Sequence, residues 1–563
     1  MKNWKIKTSE TNKLPNLPEY PSLIVKLLAQ RGLFEAEAIY DFLNPDYDKL
    51  HDPFRFKQMQ KAVSRIRQAI EQKEKITVYA DYDADAITAL SVVYLALKKM
   101  GNEADYYIPD RFSEGYGMNL EAIRSIAAGG TTLIITVDCG INAREEATLC
   151  KELGIDLIIT DHHEVTGELP EAHAVINPKN PQDEYPFPFL TGVGVAYKLV
   201  QALGLNGYEK WLLDLVAIGT VADCQSLTGE NRILVSYGLK VLPKTRWPGL
   251  RALLNTVGLS ARGGSGFAGS DNNKYDTFTL GFILAPRINA AGRIKHGDTA
   301  FKLLIAEDPL QAQNLALELN ELNQHRQLLT QQVLSEAKAQ IEMAADKKVL
   351  VAVGKDWPKG VVGLVAGKLA EEYNRPALAI SSVEGISTGS ARSIGEFDMV
   401  AALTSAKDLL QKYGGHKQAA GFTLVSENLL EFHQRLLEYA DSLNLTSSES
   451  VLEVDAEIEP TDISWENYGY LEKLAPFGYG NPKPRFVGRN LEVLDSRFVG
   501  ADNKHAKLKL KLGEHVLEAI CFGQGFLNNI VHAGSRIDCV FELMVNEWNG
   551  NKQLQLKILD VKL

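Results

Sequence analysis

The 563-residue sequence has few cysteines and no long apolar run. Its five cysteines form no Cys-x-x-Cys pair and sit mostly inside apolar stretches, which predicts buried, reduced thiols rather than a disulfide framework. No apolar run reaches the roughly 18–20 residues that a membrane-spanning helix needs. The first residues contain lysines but lack the apolar centre of a secretory signal. The sequence therefore predicts a cytoplasmic protein with no membrane segment.

The chain also lacks an excess of positive charge. It carries 60 Lys and Arg against 71 Asp and Glu, which gives a net charge of −11. Nucleic-acid backbones are bound through a local excess of Lys and Arg, so this balance argues weakly against a nucleic-acid partner. Part of the deficit comes from one group of carboxylates that two divalent cations would neutralise. The net charge therefore does not decide the question.

Four short segments end abruptly in aspartate or histidine: VYADYDADAIT at 78–88, IITVDCG at 134–140, IITDHHE at 158–164 and IGTVADC at 218–224. Each is rich in Ile, Val and Thr, which is typical of the carboxyl end of a buried parallel strand. Ligands of open α/β sheets bind at that edge. The residues collected there would be Asp81, Asp83, Asp85, Asp138, Asp161, His162, His163 and Asp223. So much negative charge in one place requires cations, so the segments predict a metal site.

The rest of the pattern predicts an α/β protein with several domains, because single cores stop growing near roughly 250–300 residues. Strands alternate with helices up to about residue 225, which is typical of a doubly wound parallel sheet. A helical pattern follows Pro309 and runs to about Asp346, and at 1.5 Å per residue it would span on the order of 50 Å. A second α/β unit opens at about residue 349. From 452 onward short alternating strands predict a small β-barrel like the oligonucleotide-binding fold.

These patterns divide the chain into five predicted parts. They are an N-terminal helical segment at 1–50, a doubly wound catalytic domain at 51–305, a connecting helix at 306–346, a smaller α/β domain at 347–445 and an oligonucleotide-binding-like barrel at 446–563. In the barrel, Lys507, Lys509 and Lys511 should lie on one face of a strand, opposite three leucines.

The chemistry of the site can be predicted from its residue types. Two-metal hydrolysis of a phosphodiester needs hard oxygen ligands, and imidazole tilts the preference from Mg²⁺ toward Mn²⁺. Asp83 and Asp85 could share an ion if the backbone bends out of strand geometry after Asp83. The other expected ligands are Asp138, His162 and Asp223. Asp81, also a candidate ligand, is better placed with Asp161 and His163 to orient the ligands or to supply a proton to the leaving oxygen.

Each element has a plainer interpretation. DYDADA alone could be a solvated acidic turn or a calcium-like loop, and adjacent histidines are usually satisfied by backbone groups. Cys139 and Cys224 follow candidate ligands directly, but carboxylates suit hard ions, so both thiols are interpreted as packing. The recurrence of four such segments in the same predicted context favours the metal site.

Ten ordered motifs resemble the RecJ-type family of single-strand DNA exonucleases, in the DHH phosphoesterase superfamily. They include DYDADA, PDRFSEGYGMN, VDCG, DHH, LAPRINAAGR at 284–293, GSARS at 389–393, GGHKQAAG at 414–421 and LAPFGYGNPKPRF at 474–486. The resemblance implies a DHH domain followed by a DHHA1 domain and removal of nucleotides from the 5′ end. It also implies roles in DNA repair and recombination.

The second lobe should bind the end of the DNA. Ser390 and Arg392 of GSARS suit a terminal phosphate, since a guanidinium and a hydroxyl lie beside glycine-rich backbone. The resemblance implies that Arg111 joins them, and that Gly414, Gly415 and His416 approach the scissile phosphate, with His416 among the catalytic residues. The plainer interpretations are a solvated arginine and a turn.

Two further groups are candidates for contacts with the strand. Arg287, Asn289 and Arg293 would line its channel, although capping of a helix is a rival role for Asn289. Phe477, Tyr479 and Phe486, near Lys483, could stack on bases, although aromatics beside Pro and Gly more often pack in turns.

Three positions depart from the family pattern. Ala86 replaces a usual glycine, Cys224 and Gln225 stand where an apolar residue and often proline are expected, and Pro358 replaces a common histidine. If residue 86 had a positive φ, alanine would cost about 1–2 kcal/mol and could displace Asp85.

The sequence thus predicts a monomeric, Mn²⁺- or Mg²⁺-dependent exonuclease that acts on single-stranded DNA. A single-strand-binding protein and a helicase are candidate partners. Two rivals stay open: a phosphodiesterase of the same superfamily for short oligoribonucleotides or cyclic dinucleotides, and a catalytically weak DNA-binding scaffold.

Overall fold

The computed structural model describes residues 3–7, 17–259, 275–342, 347–443, 451–548 and 550–563. It begins with one short strand, which the predicted N-terminal helical segment did not include, and three helices follow. Their bounds are β1 Asn3–Ile6, α1 Ser22–Ala29, α2 Ala36–Leu43 and α3 Met59–Glu71.

A five-stranded parallel sheet forms the first α/β unit, with the strand order β3-β2-β4-β5-β6. Its elements are β2 Ile76–Ala80, α4 Ala84–Lys99, β3 Asp105–Tyr107, α5 Leu120–Ala128, β4 Leu133–Val137, α6 Arg144–Glu152, β5 Asp156–Thr160 and β6 Ala174–Ile176. Successive residues of β4 enter two different cores, Ile134 on one face of the sheet and Ile135 on the other. Helices therefore cover both faces, and the predicted doubly wound parallel sheet is confirmed.

A helical region follows the sheet. Its helices are α7 Gly192–Leu203, α8 Leu213–Ala222, α9 Gly229–Val241, α10 Pro248–Thr256, α11 Ala285–Ile294, α12 Asp298–Ile305 and α13 Pro309–Glu342, and a π-helical turn at Thr279–Leu284 precedes α11. The prediction of a strand end at 218–224 is wrong, because these residues belong to α8 and its C-terminus. All residues from Leu213 to Thr220 are buried, so α8 lacks the polar face by which a helix is recognised from sequence.

Helix α13 is the predicted long connecting helix. It spans 34 residues, which at 1.5 Å per residue is about 50 Å. The last four positions of the prediction, 343–346, lie outside the described residues.

The second α/β unit has a mixed sheet with the order β10-β11-β9-β8-β7, in which only β7 and β8 are parallel. Its elements are β7 Leu350–Lys355, α14 Lys359–Tyr373, β8 Ala377–Val383, β9 Ile386–Arg392, α15 Met399–Ser405, β10 Leu410–His416, β11 Ala419–Val425 and α16 Leu429–Ser442. Pro358 directly precedes α14, where proline's missing N–H is no loss.

The C-terminal unit is a closed barrel, because β14 pairs with both β15 and β17. Its elements are β12 Val451–Val454, β13 Ala456–Glu457, α17 Trp465–Lys473, β14 Phe486–Val499, β15 His505–Leu512, β16 His515–Cys521, β17 Arg536–Trp548 and β18 Asn551–Lys562. In β15 the leucines at 508, 510 and 512 are buried and the three lysines are not, as predicted.

The two ends of the chain pack together. Strand β1 pairs in parallel with β12, and apolar residues of α1 and α2 belong to the core of the barrel. The N-terminal segment therefore packs on the C-terminal barrel. The four boundaries between the five predicted parts stay predictions, and two of them, at 346 and 446, lie outside the described residues. Among the described residues, no helix is long and apolar enough to cross a membrane.

Candidate metal centre and strand-binding cleft

The loop after β2 carries three of the candidate aspartates. Asp83 caps α4 and accepts a hydrogen bond from the backbone N–H of Ala86 at 3.0 Å, and Asp85 lies in the first turn of the helix. Asp83 is still extended and the helix begins at Ala84, so the backbone bends after Asp83, as a shared site requires. Ala86 is helical and fully buried, so the expected strain at this position is wrong and alanine is compatible with the helix.

Asp85 is held by the start of α7. Its carboxylate accepts hydrogen bonds from the N–H of Gly192 at 2.7 Å and of Val193 at 2.9 Å. These donors belong to a helix N-terminus, which favours an anion. The Asp85 side chain is therefore fixed before any ion binds.

Asp138 follows β4 in a left-handed conformation, with φ of 60°. Aspartate tolerates this region better than most residues. Gly192 packs against its carboxylate so closely that a Cβ at this position would overlap it. Sequence reasoning missed Gly192, whose only signal was a glycine at the start of a buried helix.

Asp161 organises the loop after β5. Its carboxylate accepts hydrogen bonds from the backbone N–H groups of Ile141 at 2.9 Å, His162 at 2.7 Å and His163 at 3.1 Å, and its Oδ1 lies 2.7 Å from His163 Nδ1. With its lone pairs so engaged, Asp161 orients the two histidines, which agrees with the role expected for it.

Three of the predicted ligands, Asp85, Asp138 and Asp223, surround the imidazole of His162, which is the fourth. Its Nε2 lies 3.1 Å from Asp138 Oδ1, 3.7 Å from Asp223 Oδ2 and 4.0 Å from Asp85 Oδ2. Potential ligand atoms lie within 4.8 Å of one another in two groups that share His162: Asp138, His162 and His163, and Asp85, His162 and Asp223. Asp81 and Asp83 lie outside both groups.

A bound metal ion would satisfy the polar atoms of these residues better than their contacts with one another do. Asp138 Oδ1 and Asp223 Oδ2 are buried and have no hydrogen-bond partner among the described residues. Buried polar atoms are normally satisfied. Three converging carboxylates and an imidazole are a donor set for Mn²⁺ or Mg²⁺.

The pKa values of the candidate ligands also indicate uncompensated negative charge. Burial, and then the charges of neighbouring carboxylates, raise the pKa of Asp85 and Asp138 well above the usual range and that of Asp223 to about 7. Burial and the charge of His163 lower the pKa of His162 to about 3, so its imidazole is neutral and able to bind a cation. Burial opposes protonation of His163, but the bond to Asp161 raises its pKa to about 9.

Tyr116 is a further residue at the site that the sequence did not single out. Its hydroxyl lies 3.1 Å from His163 Nε2, and the two rings meet edge to face. It belongs to the PDRFSEGYGMN motif, so its motif was noted but its partner was not.

Cys224 and Gln225 directly follow Asp223. Cys224 is exposed and has φ of 57°, so its interpretation as a buried packing thiol is wrong. The side chain of Gln225 hydrogen-bonds to Asp223 and lowers its pKa. The four other cysteines are buried and reduced, as predicted.

The arginines expected at the DNA end lie together across the two lobes. Arg392 Nη1 donates to the carbonyl of Ala391 at 2.9 Å and lies 3.5 Å from Ser390 Oγ. After burial, the charge of Arg111 is the next cause that lowers the pKa of Arg392 and of Arg293. Arg111 itself lies over the ring of Tyr82, 4.9 Å from its centre.

The other strand-binding candidates have varied environments. Asn289 Oδ1 accepts from the N–H of Ala84 at 2.9 Å, so it caps α4, although the sequence suggested the following helix. Arg287 donates to Asn320 Oδ1 at 3.0 Å and to the carbonyl of Ile283 in the preceding π-helical turn. Gly414, Gly415 and His416 lie on the exposed strand β10, and within the described part of the chain no hydrogen bond joins the His416 side chain to the acidic cluster.

The expectation that Phe486 stacks on bases is wrong, because its side chain is fully buried in the core of the barrel. Phe477 also packs against that core. Tyr479 is 72% exposed and stays a candidate.

Three segments of the chain match known protein families. Residues 75–220 match the profile of the DHH family N-terminal domain, residues 346–442 the DHHA1 domain and residues 454–560 the RecJ OB domain.

Whole-chain similarity extends across all three domains. The single-stranded-DNA-specific exonuclease RecJ of Bacillus subtilis is 42% identical over 99% of this chain and 70% of its own length. Crystal structures of Thermus thermophilus RecJ in complex with Mn²⁺ and with Mg²⁺ have TM-scores of 0.83 and 0.78, identities of 28% and 27%, and cover all of this chain and 79% and 78% of theirs. Because similarity at this level spans nearly the entire sequence, the chain belongs to the RecJ family of single-stranded-DNA-specific exonucleases.

Proposed function

We propose that this protein removes nucleotides from the 5′ end of single-stranded DNA by metal-dependent hydrolysis of phosphodiesters. The observation that carries the proposal is the convergence of Asp85, Asp138 and Asp223 on His162, with buried oxygens left unpaired. The protein is a nuclease of the RecJ family that uses Mn²⁺ or Mg²⁺.

Two divalent ions bound here would polarise the phosphodiester and provide a nucleophile from water at neutral pH. The protein's own contribution is to position them. The N-terminus of α7 fixes Asp85, and Asp161 fixes both histidines. The Asp161 bond to His163 Nδ1 leaves Nε2 to give a proton to the departing oxygen.

The direction of digestion, from the 5′ end, follows from the position of the arginines. Arg111, Ser390 and Arg392 bind the terminal 5′ phosphate, because guanidinium groups match phosphate oxygens and carry permanent charge. The strand then passes Arg287 and Arg293 and leaves toward the barrel. His416, Gly414 and Gly415 approach the scissile phosphate when the strand occupies the cleft, and Asp81 and Asp83 complete the metal environment.

The remaining parts of the proposal rest on the predictions made from the sequence. The protein acts as a monomer in the cytoplasm, in DNA repair and recombination, and releases mononucleotides. A single-strand-binding protein and a helicase supply and protect its substrate.

The test is digestion of a 5′-phosphorylated, 3′-labelled single strand with Mn²⁺ by the wild type and by Asp138→Asn. Asparagine tolerates the left-handed backbone that alanine would strain, so this variant isolates the carboxylate. Asp105→Asn, an exposed aspartate of the same sheet, is the matched control. We expect stepwise shortening from the 5′ end with the wild type and the control, and none with Asp138→Asn.

A wild type that bound the strand without shortening it would support the scaffold reading instead. Cleavage restricted to very short oligonucleotides would support the small-substrate phosphodiesterase. Shortening of matched duplex at the same rate would contradict single-strand specificity.

A further inference from the structure

The middle of α13 crosses the gap between the two α/β lobes. Leu319 belongs to the core of the first lobe and Leu322 packs against it, whereas Val333 belongs to the second core, with Leu329 packed against that one. The residues between these contacts, 323–328, therefore bridge the cleft. Side chains on their inner face form its floor.

Two polar residues occupy that inner face. The buried positions of α13 include Leu319, Asn323, Thr330 and Val333, and Arg326 lies three residues after Asn323 and four before Thr330, on the same stripe. Apolar side chains fill the stripe above and below. Between the two lobes, the amide of Asn323 and the guanidinium of Arg326 take the place of apolar side chains.

Both side chains have unused polar atoms. Asn323 is 1% exposed and its Oδ1 has no hydrogen-bond partner, and Arg326 Nε is buried and likewise unpaired within the described residues. No ion pair involving Arg326 occurs in that part of the chain either. Its neighbours differ, since Arg287 donates to Asn320 and Arg293 to the carbonyl of Gly360.

Arg326 also faces like charges. Burial and then the charge of Arg326 lower the pKa of Arg287, and Arg326 contributes to lowering that of Arg293 to about 10. Arg293 in turn lies near Arg111 and Arg392. Converging guanidinium groups repel one another unless an anion lies among them. The floor of the cleft is therefore arranged for negative charge.

We propose that Arg326, with Asn323 beside it, binds a phosphate of the DNA strand on the floor of the cleft, distinct from the terminal phosphate held by Arg111, Ser390 and Arg392. The inference rests on the proposed function, because it assigns a further contact to the same strand. A phosphate oxygen would accept from Arg326 Nε, and its charge would offset the repulsion among the arginines. Asn323 Oδ1 is an acceptor, so the contact with the phosphate is assigned to Arg326 alone.

The test compares Arg326→Met with Lys338→Met in binding a labelled, 5′-phosphorylated single strand in EDTA, where no strand is cut. Lys338 lies on the same helix, in a surface ion pair with Glu372, so its replacement removes one positive charge away from the cleft. Binding is measured over a range of salt concentrations. The salt dependence reports the number of phosphates neutralised, at about 0.7 in the log–log slope for each contact on a single strand.

We expect Arg326→Met to weaken binding about tenfold and to reduce the slope by about 0.7, while Lys338→Met changes neither. Arg326→Lys keeps the charge but loses the planar donors, so the slope should persist while affinity falls. This variant also serves if the methionine variant does not fold. Unchanged affinity and slope for folded Arg326 variants, or an equal effect of Lys338→Met, would overturn the inference while leaving the exonuclease assignment intact. A wild type that binds no single strand would overturn both.

Discussion

Gly192 packs directly against Asp138, leaving no room for a side chain between helix α7 and the metal centre. The same residue donates its N–H to Asp85. One glycine thus sets the separation of two predicted ligands, one in the first turn of α4 and one in the loop after β4.

Gly192→Ala should therefore impair metal binding without unfolding the protein. Gly192 starts a helix, where alanine is otherwise favourable, so the added methyl acts mainly by displacing the Asp138 carboxylate. We expect a loss of about 100-fold in nuclease rate and weaker Mn²⁺ binding by calorimetry. Gly469→Ala is the control, because a Cβ there meets no atom within 4 Å. Full activity of Gly192→Ala would show that the site accommodates a shifted Asp138.

Asp161→Asn tests the residue that orients both histidines. An amide cannot accept from all four donors that surround this carboxylate, so its own N–H₂ group would face one of them. We expect metal affinity to fall about 10–100-fold, measured by Mn²⁺ titration. If the affinity is unchanged and only the rate falls, Asp161 acts on the proton of His163 and does not position the ligands.

The buried pair Lys198 and Glu230 should matter for stability more than for activity. Their side chains are 0% and 2% exposed and 2.5 Å apart, and Glu230 also accepts from Tyr185. Lys198→Met leaves the carboxylate unpaired, so the free energy of unfolding should fall by about 3–5 kcal/mol.

The double variant Lys198→Met with Glu230→Gln removes both charges and should recover much of the loss. Thermal unfolding of the wild type, of each single variant and of the double variant gives the coupling free energy between Lys198 and Glu230. Equal stability of the single and double variants would contradict this account.

Asp214 should make stability depend on pH. It is fully buried in α8, and burial raises its pKa from 3.8 to about 6 despite a bond from Trp247 Nε1 at 3.1 Å. A carboxyl whose pKa is higher in the folded state favours folding while protonated. Its contribution is thus present below the unfolded pKa and is lost as pH rises through about 6.

Asp214→Asn cannot titrate and should escape that loss. The stability of the variant relative to wild type should rise between about pH 4 and 6 and stay level above, by on the order of 3 kcal/mol. Denaturation measured at several pH values checks this. A difference in unfolding free energy that stays constant across this pH range would show that ionisation of Asp214 does not destabilise the folded protein.

Much of the fold was predictable because strands and helices carry distinct patterns in most of this chain. β4 and β5 were recognised from β-branched residues that end in polar ones, and β15 from strict alternation. The segment at 218–224 failed the same reasoning, since a helix buried on every side is as rich in Ile and Val as a strand. Asp223 nevertheless reaches the site, from the end of a helix.

The site was predictable as a set of residues but not as an arrangement. Asn289 caps a helix 205 positions away in the sequence, and no local pattern could show that. Ala86 looked strained only while residue 86 was thought to lie in a turn. The role of Arg326 could not be read from a stripe of polar residues on a long helix, because the crossing between two cores appears only when both are folded.

The pairing of β1 with β12 has a consequence for how the protein is made. The first strand and the two helices after it need the barrel to cover their apolar residues, and its strands begin only at Val451. At roughly 5–20 residues per second, ribosomal synthesis of the intervening chain takes on the order of 20–90 s. Throughout that interval Ile24, Leu27 and Leu28 remain without the barrel they pack against, so this segment becomes protected from proteases only together with the barrel.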